Sequence, residues 1–192
     1  MIDIIIYSII IERNQIMDKE GFIKAINEAG YDEYKEITHD DLIFSTDVYN
    51  QCLRNSCGMS GRNYACPPLG FDGDMEKARA RFIKYDHLIM VNKIVKLGRD
   101  WEEGMKVVAD TTSAMRKLIK NEDAALFGAG GCTICKECAA LTGEPCRFPD
   151  KIQYSMEGSG LDVMRMSINQ KMTYNGGGGK LGYFALLGFN EQ

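Results

Sequence analysis

Apolar positions along this chain recur with two different periods. Residues 2–11 are almost continuously apolar and rich in isoleucine, whose β-branching favours extended backbone, so a strand or an extension outside the core is expected over about residues 1–15. In residues 18–29, Phe22, Ile23, Ile26 and Ala29 recur at helical spacing, and Gly30 is placed to stop the helix. Short extended pieces are expected at 34–37 and 42–44, followed by a Gly-, Ser- and Asn-rich loop from Cys52 to Cys66. Residues 72–84 read as a helix burying Met75, Ala78, Phe82 and Ile83, and 85–95 as a strand centred on Leu88 to Val91. A longer helix over 101–120 turns Met105, Val108, Ala109, Met115, Leu118 and Ile119 to one broad face. A short apolar strand at 124–127 leads straight into a second cysteine-rich stretch, residues 130–149. A helix over 160–172, a glycine turn at 175–180 and a strand over 181–189 follow.

Interleaved helices and strands of these lengths predict an α/β or α+β fold: a single mixed sheet of about four to six strands, flanked by helices, with two cysteine-rich loops hanging from strand ends. A length of 192 residues suits one domain carrying both loops. The cysteine regions are not copies of each other, and no repeat of solenoid length is present.

Charge and cysteine usage narrow the function. A formal charge of −4 without a basic run lacks the clustered positive face of a nucleic-acid binder. Seven cysteines, an odd number, argue against a secreted disulfide framework. The apolar start lacks a basic region and a small-residue cleavage site, and is shorter than the roughly 20 residues a bilayer span requires. A cytoplasmic, reducing location is therefore expected, without a membrane partner.

The chemistry concentrates in two stretches. Cys132, Cys135 and Cys138 form two overlapping C-x-x-C units, and Cys146 follows seven residues later behind Pro145. Three thiolates from one tight loop can hold three irons of a cubane face, and Cys146 can close the fourth corner of a 4Fe-4S cluster. Lys136 and Arg147 stand beside ligands, where they can offset the charge; a structural zinc is the alternative, although zinc sites more often use two separated C-x-x-C hooks. Cys52, Cys57 and Cys66 are spaced less specifically. They read as a second metal site with an open position, as donors of Cys66 to the first cluster, or as buried apolar residues. Arg54, Arg62, Asn63 and Tyr64 share that loop and could bind an anion or neutralise thiolates.

Taken together, Cys-x4-Cys-Gly-x-Ser-Gly-Arg-Asn-x-x-Cys-Pro-Pro, then Gly-Cys-x-x-Cys-x-x-Cys-x7-Cys-Arg-x-Pro, then Glu-Gly-Ser-Gly-Leu-Asp-Val resembles the predicted metal-binding proteins of unknown function (domain of unknown function 2284) of anaerobic bacteria and archaea. The resemblance covers about residues 20–190 and implies a cysteine-ligated metal or iron–sulfur protein. Partners would be a redox protein or a small-molecule substrate, and an exposed strand at 2–11 could support a homodimer. The function classes left open are a 4Fe-4S protein in electron transfer or a small redox reaction, a zinc-binding interaction module, and an enzyme using an open-coordinated cluster as Lewis acid.

Other candidates are weaker. His39 reads as a solvated turn residue and His87 as a satisfied residue at a strand end. The glycines of 175–180 could cradle a phosphate but read more simply as a turn. Ser159 could cap the following helix or wall the cluster pocket, and Met156, Met164, Met166 and Met172 read as core filler.

Overall fold

The structure, a computed structural model, describes residues 17–98 and 101–191; the apolar run at 2–11 and the expectations placed on it lie outside these residues. Helix α1 (Lys19–Ala29) begins where Asp18 accepts a hydrogen bond from the Gly21 N–H at 2.9 Å, and ends where Gly30 takes a left-handed φ of 91°. Strand β1 (Glu33–Ile37) and helices α2 (Thr46–Leu53) and α3 (Met75–Ile83) follow. Then come β2 (His87–Lys96), α4 (Trp101–Leu118), β3 (Ala124–Phe127), α5 (Val163–Asn169), β4 (Asn175–Gly177) and β5 (Lys180–Phe189).

The strands form one sheet in the order β1-β2-β5-β3, with β4 also paired to β5. Every ladder is antiparallel, so the fold is α+β and the sheet is antiparallel where a mixed one was expected. The central pair, β2 and β5, is covered on both faces, which is why both read as continuous apolar runs. Ile89, Val91, Ala185, Leu187 and Phe189 pack with Phe22 and Ile26 of α1 and Met115 of α4. Their alternate neighbours Leu88, Met90, Phe184 and Leu186 face the other way, against Phe82, Met156, Leu161 and Met166.

Several local expectations are corrected by this packing. Residues 42–44 form no strand; Phe44 makes only an isolated bridge to Leu161. Cys52 lies on α2 instead of a loop. Ile83 is exposed; α3 instead turns Ala78 and Phe82 fully inward, with Met75 partly buried beside them. Ala109 is exposed, and Thr111 takes a buried position on α4. Asp162 caps α5 by accepting from the Arg165 N–H at 3.0 Å, leaving Ser159 buried and uninvolved in the cap. Met164 is exposed, whereas Met156 and Met166 are core. His39 is held, not solvated: its Nε2 lies 2.8 Å from the Tyr85 carbonyl oxygen. His87 stacks on Phe189 with ring centroids 5.0 Å apart. The glycines at 177–179 all take positive φ and turn β4 into β5.

One polar network ties β1 and β2 to the segment before β4. The Glu33 carboxylate accepts from Asn92 Nδ2 at 2.8 Å, Thr173 N at 2.9 Å and Thr173 Oγ1 at 2.6 Å. Burial alone would raise its pKa, but these hydrogen bonds from Thr173 and Asn92 outweigh it and hold the carboxyl below its ordinary range. A depressed folded-state pKa gives stability that is present above the unfolded value and is lost as pH falls through the folded one. Glu33→Gln is therefore expected to flatten the acid limb of the stability curve, measured as urea midpoints from pH 7 down to pH 3; an acid limb as steep as in the wild type would place the sensitivity elsewhere.

Candidate metal centre

Strand β3 hands the chain directly to the second cysteine stretch, so one end of that loop is fixed by the sheet. Gly130 turns it with a φ of 82°. Cys132, Cys135, Cys138 and Cys146 then all line one cavity of about 20 Å³, walled also by Ile134, Ala139, Phe148, Ile152 and Arg147. The seven-residue gap before Cys146 is taken up by a single 3-10 turn, Ala139–Thr142, and by Gly143 at φ 72°, which sends the chain back towards the first three thiols. Arg147 Nη1 donates to the Glu137 carbonyl at 3.0 Å and so fastens the last ligand position to the middle of the loop. Among the described residues no three His, Cys, Asp or Glu side chains are placed to hold one metal ion, so what gathers these four thiols is the cavity they share.

The first cysteine region lies against the second. Asn63 is buried and spans the junction: its Nδ2 donates to the Cys132 carbonyl at 2.9 Å, while its Oδ1 accepts from the N–H of Cys132 at 3.2 Å and of Ala65 at 2.9 Å. Tyr64 donates its hydroxyl to the Glu144 carbonyl at 2.9 Å. The approach is close enough that a Cβ at Gly131 would sit 3.0 Å from Asn63 Nδ2 and 2.9 Å from Met59 Cε. The segment 153–156 completes the junction, with Gly128 N–H bonded to the Tyr154 carbonyl and Ser155 N–H to the Ala65 carbonyl.

Within the first region the three thiols differ in exposure. Cys66 is buried, Cys52 is partly buried at the end of α2, and Cys57 is exposed. Burial, reinforced by the negative charges of Glu157 and Cys57, pushes the Cys52 thiol up to about 11. Burial first, then Cys57, Cys52, Glu157 and Cys132, pushes Cys66 up to about 12. These thiols therefore influence one another and reach Cys132 of the other loop. Groups so raised stay protonated at neutral pH unless a cation compensates them, so as free thiols they are poor nucleophiles.

The cations expected beside the thiolates are placed differently from one another. Arg147 lines the four-thiol cavity. Arg62 is exposed and does not line it. Lys136 is exposed as well. Sequence reasoning missed Arg116, at the last turn of α4. Its Nη1 donates to Thr133 Oγ1 at 3.1 Å, and its Nη2 is buried without a partner among the described residues. Burial lowers the Arg116 pKa, and the negative charge of the Cys132 thiol is the first influence opposing that. Its spacing was a legible signal: Arg116 flanks the Thr112, Met115, Ile119 stripe, where a long cation is drawn partly inward.

A family model described as predicted metal-binding protein (DUF2284) matches residues 35–188, a span that takes in all seven cysteines, Arg116 and Asn63. No curated protein and no solved structure matches the chain. No helix among the described residues is long and apolar enough to cross a membrane.

Proposed function

We propose that this chain, which belongs to the family of predicted metal-binding proteins (DUF2284), carries a 4Fe-4S cluster on Cys132, Cys135, Cys138 and Cys146 and serves electron transfer or a small redox reaction. The observation that carries this reading is the single apolar-walled cavity lined by all four thiols, three of them drawn from seven consecutive residues. An all-thiolate donor set fits iron–sulfur clusters and zinc and suits hard cations poorly. Such a cluster, when bound, supplies a one-electron couple whose potential depends on net charge, hydrogen bonds to sulfur and solvent exposure.

The chain's own residues set those three quantities. Arg116 and Arg147 bring positive charge to the thiolates, and the buried Nη2 of Arg116 has no other partner among the described residues. Ile134, Ala139 and Ile152 keep water from the inner wall, while Leu141 and Phe148 on the outer side are exposed, where a redox partner protein or a small substrate can approach. Cys52, Cys57 and Cys66 form a second metal site beside the first, and the Asn63 junction keeps the two in register.

Anaerobic purification followed by iron, sulfide and zinc analysis and an EPR spectrum of the reduced protein tests this reading. Four irons with equal sulfide support one cubane and eight support two, by the stoichiometry of the cluster. A colourless protein with stoichiometric zinc and no acid-labile sulfide replaces it with a zinc-binding module. Arg116→Gln is expected to make the reduction potential more negative, because it removes a cation from beside a cluster that gains negative charge on reduction. An unchanged potential in a redox titration would show that Arg116 only packs.

A further inference from the structure

A second cavity, of about 120 Å³, lies beside the four-thiol cavity and shares none of its lining residues. Helix α4 supplies one wall through Met105, Val108, Ala109 and Thr112, which recur every three or four residues. Strand β5 supplies Tyr183, Phe184 and Ala185. The start of the cysteine loop supplies the rest, and it does so alternately. Gly131 and Thr133 line this cavity, while Cys132 and Ile134 line the one that holds the thiols. Gln153 and Ile152 divide in the same way, so the backbone of these two stretches is the partition between the cavities. Gln153 lies against Gly128, where a Cβ would stand 3.1 Å from its Cδ and collide with its amide nitrogen; only glycine leaves room for that side chain.

None of the residues lining this cavity is charged. Two of them, Tyr31 and Gln153, are only 9% and 7% exposed. Yet Tyr31 Oη and Gln153 Oε1 have no hydrogen-bond partner among the described residues. Buried polar groups are costly to leave unpaired and are nearly always satisfied in a native protein. Burial pushes the Tyr31 hydroxyl up to about 12, so it stays neutral and able to donate. Thr133 Oγ1 accepts from Arg116 Nη1 at 3.1 Å, which leaves its own proton free to donate. A single water needs only about 10–15 Å³ of such space and a cavity of about 150 Å³ takes up benzene, so this one admits a molecule of about six non-hydrogen atoms. We propose that the cavity binds a small uncharged carboxamide, whose carbonyl oxygen accepts from Tyr31 Oη and whose N–H donates to Gln153 Oε1. A carboxamide carries acceptor and donor side by side, so it can satisfy both groups at once. Met105, Val108 and Phe184 offer apolar wall to its short alkyl end. A carboxylate or an ammonium would leave water with no opposite charge to meet it. The site does not depend on which metal the thiols hold, and its occupant packs against Gly131 and Thr133, on either side of Cys132.

Saturation-transfer NMR titration of the full chain, with butyramide as probe and butyrate as its charged counterpart, tests this. Butyramide is expected to bind and butyrate to give no transfer. Tyr31→Phe and Gln153→Met, both close to isosteric, should each weaken butyramide by about 5-fold or more, the worth of one hydrogen bond. Because the deleted atoms have no partner in the protein, both variants should melt, without ligand, at or above the wild-type temperature. A wild type that does not bind butyramide overturns the proposal and leaves a cavity that holds water only. Butyrate binding as tightly as butyramide overturns the ligand class, and butyramide binding unchanged in both variants places the amide elsewhere on the chain. A melting temperature lowered by more than about 4 °C in either variant would show that its polar atom is paired inside the protein, which removes the reason for a polar occupant.

Discussion

Replacing Cys135 with serine is expected to strip the chain of one whole cluster, so that iron and acid-labile sulfide each fall by about four per chain. Cys135 is the middle of the three closely spaced thiols, and all four cavity-lining sulfurs come from this one loop. A serine oxygen is a harder, poorer ligand for cluster iron, and no other donor of the loop can take its place without remaking the 3-10 turn at Ala139–Thr142. The fold should survive, because the loop hangs from β3 and contributes only Ala139 to the buried residues among 130–149. Far-UV circular dichroism should therefore match the wild type while the visible absorbance changes. Iron content and spectrum unchanged by Cys135→Ser would show that the ligand assignment is wrong.

The second large effect belongs to a residue that binds no metal. Asn63→Leu keeps the side-chain volume and deletes all three hydrogen bonds at the junction, leaving the Cys132 N–H, the Cys132 carbonyl and the Ala65 N–H without their partner. Buried backbone groups left unpaired cost about 1–3 kcal/mol each, and part of that is recovered by water at the less buried Cys132, so a total loss of about 3 kcal/mol is expected. For a chain of this size that corresponds to a fall in Tm of roughly 6–12 °C. Asn63→Asp can still accept from both N–H groups but cannot donate to the Cys132 carbonyl, so an intermediate fall is expected. Both variants should also release metal faster to a chelator, because the junction positions Cys66 and Cys132 together. A Tm within about 2 °C of wild type for Asn63→Leu would mean that the two loops dock by other contacts.

Much of the scaffold was legible because it is made by neighbours in the chain. Asp18 and Gly30 bound α1 through bonds that reach no more than four or five residues, and the alternation of Leu88 to Val91 and of Phe184 to Phe189 reports burial on both faces of a strand. The spacing of Cys132, Cys135, Cys138 and Cys146 is equally local, and the structure gathers those four at one cavity. The errors have the same origin. Residues 42–54 carry little periodic signal, and α2 exists there because Tyr49 packs on Phe71, a contact 22 residues away. Ile83 satisfied the helical spacing and yet stayed exposed, since no described residue covers it.

The loop at 130–149 could thus be picked out as a candidate ligand loop from its residues alone, since cysteine spacing is a property of a short stretch of backbone. What surrounds it could not. Asn63 reaches Cys132 across 69 residues and Tyr64 reaches Glu144 across 80, while Arg116 comes from a helix that no cysteine motif marks. The chain by itself determined which atoms can bind metal; the packing of the sheet and its two layers decided which of them stand together, which charges face them and how far water is kept away. Those are the quantities that separate a metal ligand from a buried thiol, because Coulomb and desolvation energies depend on distance and burial, and neither is a function of sequence separation.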